Sequence, residues 1–217
     1  MQLTVFGWQG AILEIFLFFM IFRNVVSFSE ELQQVNPIVS YWLGFTVLTG
    51  FWEIVYLSNR DSINKYSSHL VNTKESVWTN EYGLSMVLPW NLSKLFYAEY
   101  GAWADREYKS FSDNWSFTVE GSHCTICAFY SLLALWSIIN NHHQNYILAL
   151  GIGMGSQFMN SLLYMAEYFL QVKDPHSVNY DSPSFPTGEL LTKRIFMYIN
   201  YLWLLCPAYA IYTYVQF

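Results

Sequence analysis

The hydrophobic residues of this chain gather into five long stretches, near residues 5–22, 38–57, 115–139, 146–171 and 195–216. A helix needs about 20 apolar residues to cross a hydrocarbon core, and each stretch is at or near that length. None alternates as a half-buried strand does, so strands are not expected. Pro37 stands at the start of the second stretch, where a helix does not use its N–H. Asn140, Asn141, His142 and His143 form a short polar break between the third and fourth, which predicts antiparallel neighbours. The pattern implies an all-α integral membrane protein: a five-helix bundle with residues 1–217 as a single membrane domain.

Two longer interruptions differ in character. Residues 58–114 read as a loop, polar and irregular from Arg60 to Glu81 and aromatic from Leu84 to Tyr108, with Trp90, Phe96, Tyr97, Tyr100 and Trp103. That aromatic density predicts a segment lying in the interface across the mouth of the bundle. Residues 172–194 hold Pro175, Pro183 and Pro186 and read as a rigid cap.

Composition supports the class. Of the 217 residues 53% are hydrophobic and 12% charged, against roughly 25% charged in soluble domains. A net charge of -6 without a basic run argues against nucleic acid. Cys124 and Cys127 form a mid-helix CxxC with no second ligand pair, and with Cys206 they read as small packing residues. The first stretch lacks a basic leader and reads as a retained span. The setting expected is a multi-pass protein of the endoplasmic reticulum membrane.

Connectivity converts position into depth. The second stretch ends at the long interruption, the third starts from it, and the fourth ends and the fifth starts on that same side. Glu53, Glu120, Glu167 and Asn200 then each lie four or five residues from that face, or roughly 6–8 Å deep at 1.5 Å per residue. His123 stands one turn below Glu120, and Thr49 one turn below Glu53. Ionisable groups at membrane depth are costly and point to function. The expected site is a cavity open toward one leaflet, suited to an amphiphile with its polar head near the interface. Glu14 either lines the same cavity or meets a partner subunit, which leaves a homodimer open.

The chemistry available is acid–base. The chain holds no nucleophile elbow, no phosphate loop and no His/Cys metal spacing, so no metal or cofactor is expected. A carboxyl in a dry aromatic pocket holds its proton tightly, so one acid can donate while another stays ionised. Aromatic faces stabilise cations. Together these suit protonation of an alkene or epoxide, steering of the cation and removal of a proton elsewhere.

The residues resemble the emopamil-binding protein family, five-span membrane proteins of the EXPERA group. Thr118-Val119-Glu120-Gly121 looks like the motif opening the family's third span. Gln157 with Leu163-Tyr164 is similar to its Gly-Gln…Leu-Tyr stretch, and Asn200-Tyr201-Leu202-Trp203 with Pro207 to its Asn-x-x-Trp…Pro signature. Glu53 falls where the family keeps its second-span glutamate, and Asp105 with Tyr108 resembles its Gly-Asp-Ser-Arg-Tyr loop. For the sterol Δ8–Δ7 isomerases of that family the resemblance implies proton transfer by two glutamates and a histidine, with the last-span Asn and Trp lining the pocket. The chain departs at Thr49, where the family has its histidine, and at His123, where the isomerases carry a small hydroxyl residue.

The same family includes fungal meroterpenoid cyclases, and a relocated proton relay fits such a change of substrate. The expectation is therefore a terpene cyclase acting on a terpenoid in the membrane lipid, with Glu53, Glu120 and His123 catalytic. Thr49, Asp105, Tyr108, Gln157, Tyr164, Glu167, Asn200 and Trp203 would hold the substrate. The alternatives are a sterol isomerase and a non-catalytic sterol- or lipid-binding protein.

Overall fold

The computed structural model describes residues 3–107 and 114–215; the side chains of 114–120, 122, 123 and 215 lie outside that description. The chain is mostly helical. Strand β1 (Thr4–Phe6) leads into α1 (Gly7–Ser27), the short α2 (Glu30–Gln34) and the long α3 (Pro37–Thr73). After β2 (Glu81–Gly83) and a 3-10 turn (Leu84–Val87) come α4 (Pro89–Trp103), α5 (Asn114–Ile139) and α6 (His143–Gln171). A second 3-10 turn (Glu189–Leu191) precedes α7 (Phe196–Ile199) and α8 (Leu202–Val215).

Two helices, α1 and α3, are long and apolar enough to cross a membrane by length and composition. In α1 only 17% of the apolar window is buried. Phe16, Met20 and Ile21 face outward, while Gly10, Glu14 and Phe22 face in. That arrangement suits a helix with one side against apolar surroundings other than its own chain.

The second stretch does not stop near residue 57. α3 runs 37 residues, about 55 Å at helical rise, against a hydrocarbon core of about 30 Å. Its start is fixed by Asn36, whose side chain accepts from the Ile38 N–H at 2.9 Å, with Pro37 in the first turn. Beyond a kink at Asn59, where that side chain donates to the Val55 carbonyl, the helix continues with Ile63, Ser67 and Leu70 buried. Those positions, three or four apart, make a narrow stripe that packs under α4. The segment is polar enough to read as a loop and periodic enough to fold as a helix.

The absence of strands is also corrected. β1 and β2 pair antiparallel with Val5 opposite Tyr82, and Thr4 Oγ1 donates to Glu81. Three residues are too few for alternation to register, and the partners are 77 positions apart. Gly7 makes the approach feasible: a Cβ there would stand 2.0 Å from the Val77 carbonyl oxygen. The last stretch is likewise not one helix but α7 and α8, separated at Asn200–Tyr201.

The bundle proper is α3, α5, α6 and α8. α5 and α6 are antiparallel, joined through Asn141 in the left-handed region (φ 58°), which a short polar side chain tolerates. Trp42 Nε1 donates to Gln157 Oε1 at 2.8 Å and links α3 to α6. α3 meets α5 at Gly50, where a Cβ would lie 2.5 Å from Ala128 Cβ and 3.2 Å from the Cys124 carbonyl oxygen. Cys124 is buried at this contact, and Cys127 is buried with its Sγ 3.6 Å from the Gly153 carbonyl oxygen of α6. We expect Gly50→Val to force α3 and α5 apart and to lower stability by about 1–3 kcal/mol, the usual range for overpacking. Thermal unfolding in detergent, followed by circular dichroism, measures it; an unchanged midpoint would show that the helices are not held this closely.

Candidate functional site

A cavity of about 80 Å³ lies where α3, α4, α6 and α7–α8 converge. α3 contributes Glu53, which is partly buried. α4 contributes Phe96, Tyr97 and Tyr100, and α6 contributes Asn160, Ser161 and Tyr164. The far wall is Phe196, Ile199, Asn200 and Trp203. Its aromatic lining is continuous with the core: Phe96 packs on Trp52 at 5.8 Å, and Trp203 meets Trp42 edge-on at 5.4 Å.

Behind this wall a buried carboxylate organises the polar groups. Asp105, in the turn after α4, is 1% exposed. Its Oδ2 accepts from the Tyr164 hydroxyl at 2.7 Å, and its Oδ1 accepts from Asn179 Nδ2 at 2.8 Å and the Glu107 N–H at 2.9 Å. Tyr164 is 2.7 Å from the Tyr100 hydroxyl, which accepts from Asn200 Nδ2 at 3.0 Å. Proton counting fixes the direction of this chain. With Tyr164 donating to Asp105, Tyr100 must donate to Tyr164, because each phenol has one hydrogen. If Asp105 holds a proton, it donates to Tyr164 and Tyr164 donates to Tyr100, so the Tyr100 hydrogen turns to another acceptor, of which Met197 Sδ lies 3.6 Å away.

Burial pushes the Asp105 carboxyl above its ordinary value; donation by Tyr164, Asn179 and the Glu107 N–H opposes this, as does the charge of Arg194. Burial and the neighbouring Asp105 hold the Tyr100 phenol well above its usual value, so it stays protonated.

The segment expected as a rigid cap closes over this network through Arg194, which is 2% exposed. Its guanidinium donates to the Tyr168 hydroxyl at 2.6 Å, the Asn179 carbonyl at 2.8 Å and the Phe185 carbonyl at 2.6 Å. It also lies 3.5 Å from the centre of the Phe185 ring, over which Arg106 stands at 3.7 Å. Nothing in the sequence marked Arg194, because a lone cation beside Lys193 at the end of a polar loop reads as solvated. Glu99 escaped notice in the same way. It is buried on α4, where it accepts from Ser76 Oγ at 2.6 Å and the Val77 N–H at 2.7 Å and so anchors the turn after α3.

Of the residues expected at the site, Glu53, Tyr164, Asn200 and Trp203 share the cavity, and Asp105 reaches it through Tyr164. Three do not line it. Gln157 is buried one level away between α3 and α6, its amide engaged by Trp42 and Thr46. Thr49 donates to the Thr46 carbonyl of its own helix at 3.2 Å. Glu167 is exposed and accepts from Gln171 at 3.3 Å, on the outer side of α6. Depth along a helix does not fix rotation about it, and that turned Glu167 outward; Gln157 and Thr49, on the same helix faces as Tyr164 and Glu53, lie further along those helices than the cavity reaches. The Glu120 and His123 side chains, and Tyr108 altogether, lie outside the described residues. Glu14 is buried on α1, accepting from Trp52 Nε1 at 3.0 Å, behind the aromatic wall and not in the cavity lining.

No protein-family model, curated protein or solved structure matches this chain.

The raised Asp105 pKa has a definite sign. The folded state binds its proton more tightly than the unfolded chain, so folding stability falls as pH rises from about 4 through the folded value. Asp105→Asn removes that dependence. We expect the midpoint of the variant, relative to the parent, to improve steadily with pH across this window. The slope is the readout, since the offset at one pH also contains altered hydrogen bonds; a slope of opposite sign would mean that the donors outweigh burial.

Proposed function

We propose that the chain is a membrane-embedded terpenoid cyclase of the emopamil-binding protein type, working by proton-initiated carbocation chemistry. The observation that supports this best is the Asp105–Tyr164–Tyr100 chain, which ends at the lining of an aromatic cavity that also holds Glu53. In this reading a proton passes to an epoxide oxygen or alkene carbon of the substrate. The cation so formed is attacked by an internal double bond, which closes a ring, and a proton is then lost to a carboxylate. No atom is gained or lost overall, and no redox partner is needed. Phe96, Tyr97 and Trp203 would face the cation, Asn200 would orient Tyr100, and Glu53 would stabilise the charge or take the final proton. Glu120 and His123 remain the other acid pair proposed from sequence. The five-span topology and the endoplasmic reticulum membrane belong to the same proposal.

A terpenoid is larger than 80 Å³, since sites for drug-sized ligands span about 300–1,000 Å³. Substrate binding therefore requires a wall to part. The α7–α8 wall, interrupted at Asn200–Tyr201 and carrying Pro207, is the one suited to it.

The chain expressed in microsomes would be offered a Δ8-sterol and a farnesylated epoxide side by side, with products identified by mass spectrometry. We expect a cyclised terpenoid. Tyr164→Phe, Asp105→Asn and Glu53→Gln should each lower turnover by at least about 10²-fold, the low end for loss of general acid–base help. Conversion of the Δ8-sterol alone would make it the sterol isomerase. Tight binding with no product from either would make it a lipid-binding protein.

A further inference from the structure

A second cavity, of about 420 Å³, lies at the opposite end of the bundle. It is bounded by the α2–α3 junction, the last turn of α5, the first turns of α6 and the end of α8. Along α3, Val39 at this cavity and Glu53 at the other are 14 residues apart, or about 21 Å. The two are separate sites, and this one has the volume of a small-molecule pocket.

Its lining has one sign of charge. Glu31 carries a carboxylate there, and no Lys or Arg is among the described lining residues. Glu31 accepts only from neutral donors, Ser29 Oγ at 2.9 Å and Asn141 Nδ2 at 3.3 Å. Its own backbone N–H, Ser29 and Asn141 hold this carboxyl below the ordinary carboxylate range, so it is ionised at neutral pH. Those donors carry no net charge, so the negative charge of the carboxylate is not cancelled by them.

Part of the lining is aromatic. Tyr146 and Tyr214 meet edge-on at 6.0 Å, and the Tyr214 hydroxyl lies 3.3 Å from His143 Nε2. Rings of this kind attract alkylammonium groups. Ser137 also lines the cavity; it is fully buried, and its hydroxyl has no hydrogen-bond partner among the described residues. A buried hydroxyl left unpaired calls for an explanation, and its position in the lining supplies one: it can accept from an N–H that Glu31 also attracts.

We propose that this cavity binds a protonated amine, with Glu31 supplying the charge, Ser137 a hydrogen-bond acceptor, and Tyr146 and Tyr214 the aromatic wall. An N–H is required by Ser137, which favours an ammonium bearing hydrogens over a quaternary one. The amine can come from a soluble alkylamine or from an ethanolamine lipid headgroup.

The test uses the full chain in maltoside micelles and reads thermal midpoint and calorimetric binding. Octylammonium should raise the midpoint, as any ligand of the folded state does. Octan-1-ol and octanoate, with the same tail, should not. Glu31→Gln should weaken octylammonium binding by roughly tenfold or more. Ser137→Ala, which folds without the unpaired hydroxyl, should weaken it by a smaller factor. Equal shifts from the alcohol, or unchanged binding by Glu31→Gln, would overturn the proposal. In nanodiscs, a midpoint raised by phosphatidylethanolamine over phosphatidylcholine assigns the lipid source. A rise only on adding octylammonium to phosphatidylcholine discs assigns the soluble one, and no rise in either overturns it.

Discussion

The arrangement of this protein depends on burying one carboxylate and satisfying it. Asp105 brings together three parts of the chain that share no local contact: the turn after α4, Tyr164 of α6 and Asn179 of the cap. A carboxylate removed from water is tolerated only when it is hydrogen-bonded and near a compensating charge. Each donor therefore has to arrive in a fixed place. Asn179 is itself fixed: its side chain donates to Gln171, its side-chain oxygen accepts from the Arg106 N–H, and its carbonyl accepts from Arg194. Arg194 in turn closes the cap on Tyr168. The cavity inherits part of its geometry from this chain of obligations, since Tyr164 cannot move without costing Asp105 Oδ2 its donor, and Tyr100 is tied to Tyr164.

Much of the helical architecture was legible because it follows from length and hydropathy. The starts of α3 and α6 and the extent of α5 lie within a few residues of the apolar stretches. What was not legible had physical reasons. α3 continues past Asn59 because three well-spaced inward residues are enough to hold a helix against α4, although the average composition there is polar. The β1–β2 pair is too short and too distant in sequence to leave a local signature. α7 and α8 separate at a point that hydropathy cannot see.

The site was legible to the extent that depth decides it. Depth along the chain put Glu53 and Asn200 in one layer, and both line the cavity; Tyr164 and Trp203, which join them there, were marked by the family resemblance. Rotation was the missing coordinate for Glu167, which it turned outward, while Gln157, two turns from Tyr164 on the same face of α6, lies a level away and is held by Trp42. The pairing of Asp105 with Tyr164 was beyond sequence reasoning altogether, because it joins a turn to a helix 59 residues away. Family resemblance singled out both residues and said nothing of their contact.

The two ends of the bundle solve opposite problems with similar residue types. At one end a carboxyl is drawn inside and linked through two phenols to the lining of a cavity. At the other, Glu31 stays near the surface and ionised, with tyrosines beside it and no cation among the described residues to meet it. A buried acid with a hydroxyl relay is suited to releasing a proton into a dry space; a shallow carboxylate against aromatic faces is suited to holding a positive charge that arrives from outside. The difference lies in solvation, not in the residues. It follows from connectivity: the first end is roofed by the long segment between α6 and α7, which supplies Asn179 and Arg194. The second is bounded mainly by short junctions, from Val35 to Pro37 and from Asn140 to His142, and such junctions are too short to fold back as a roof.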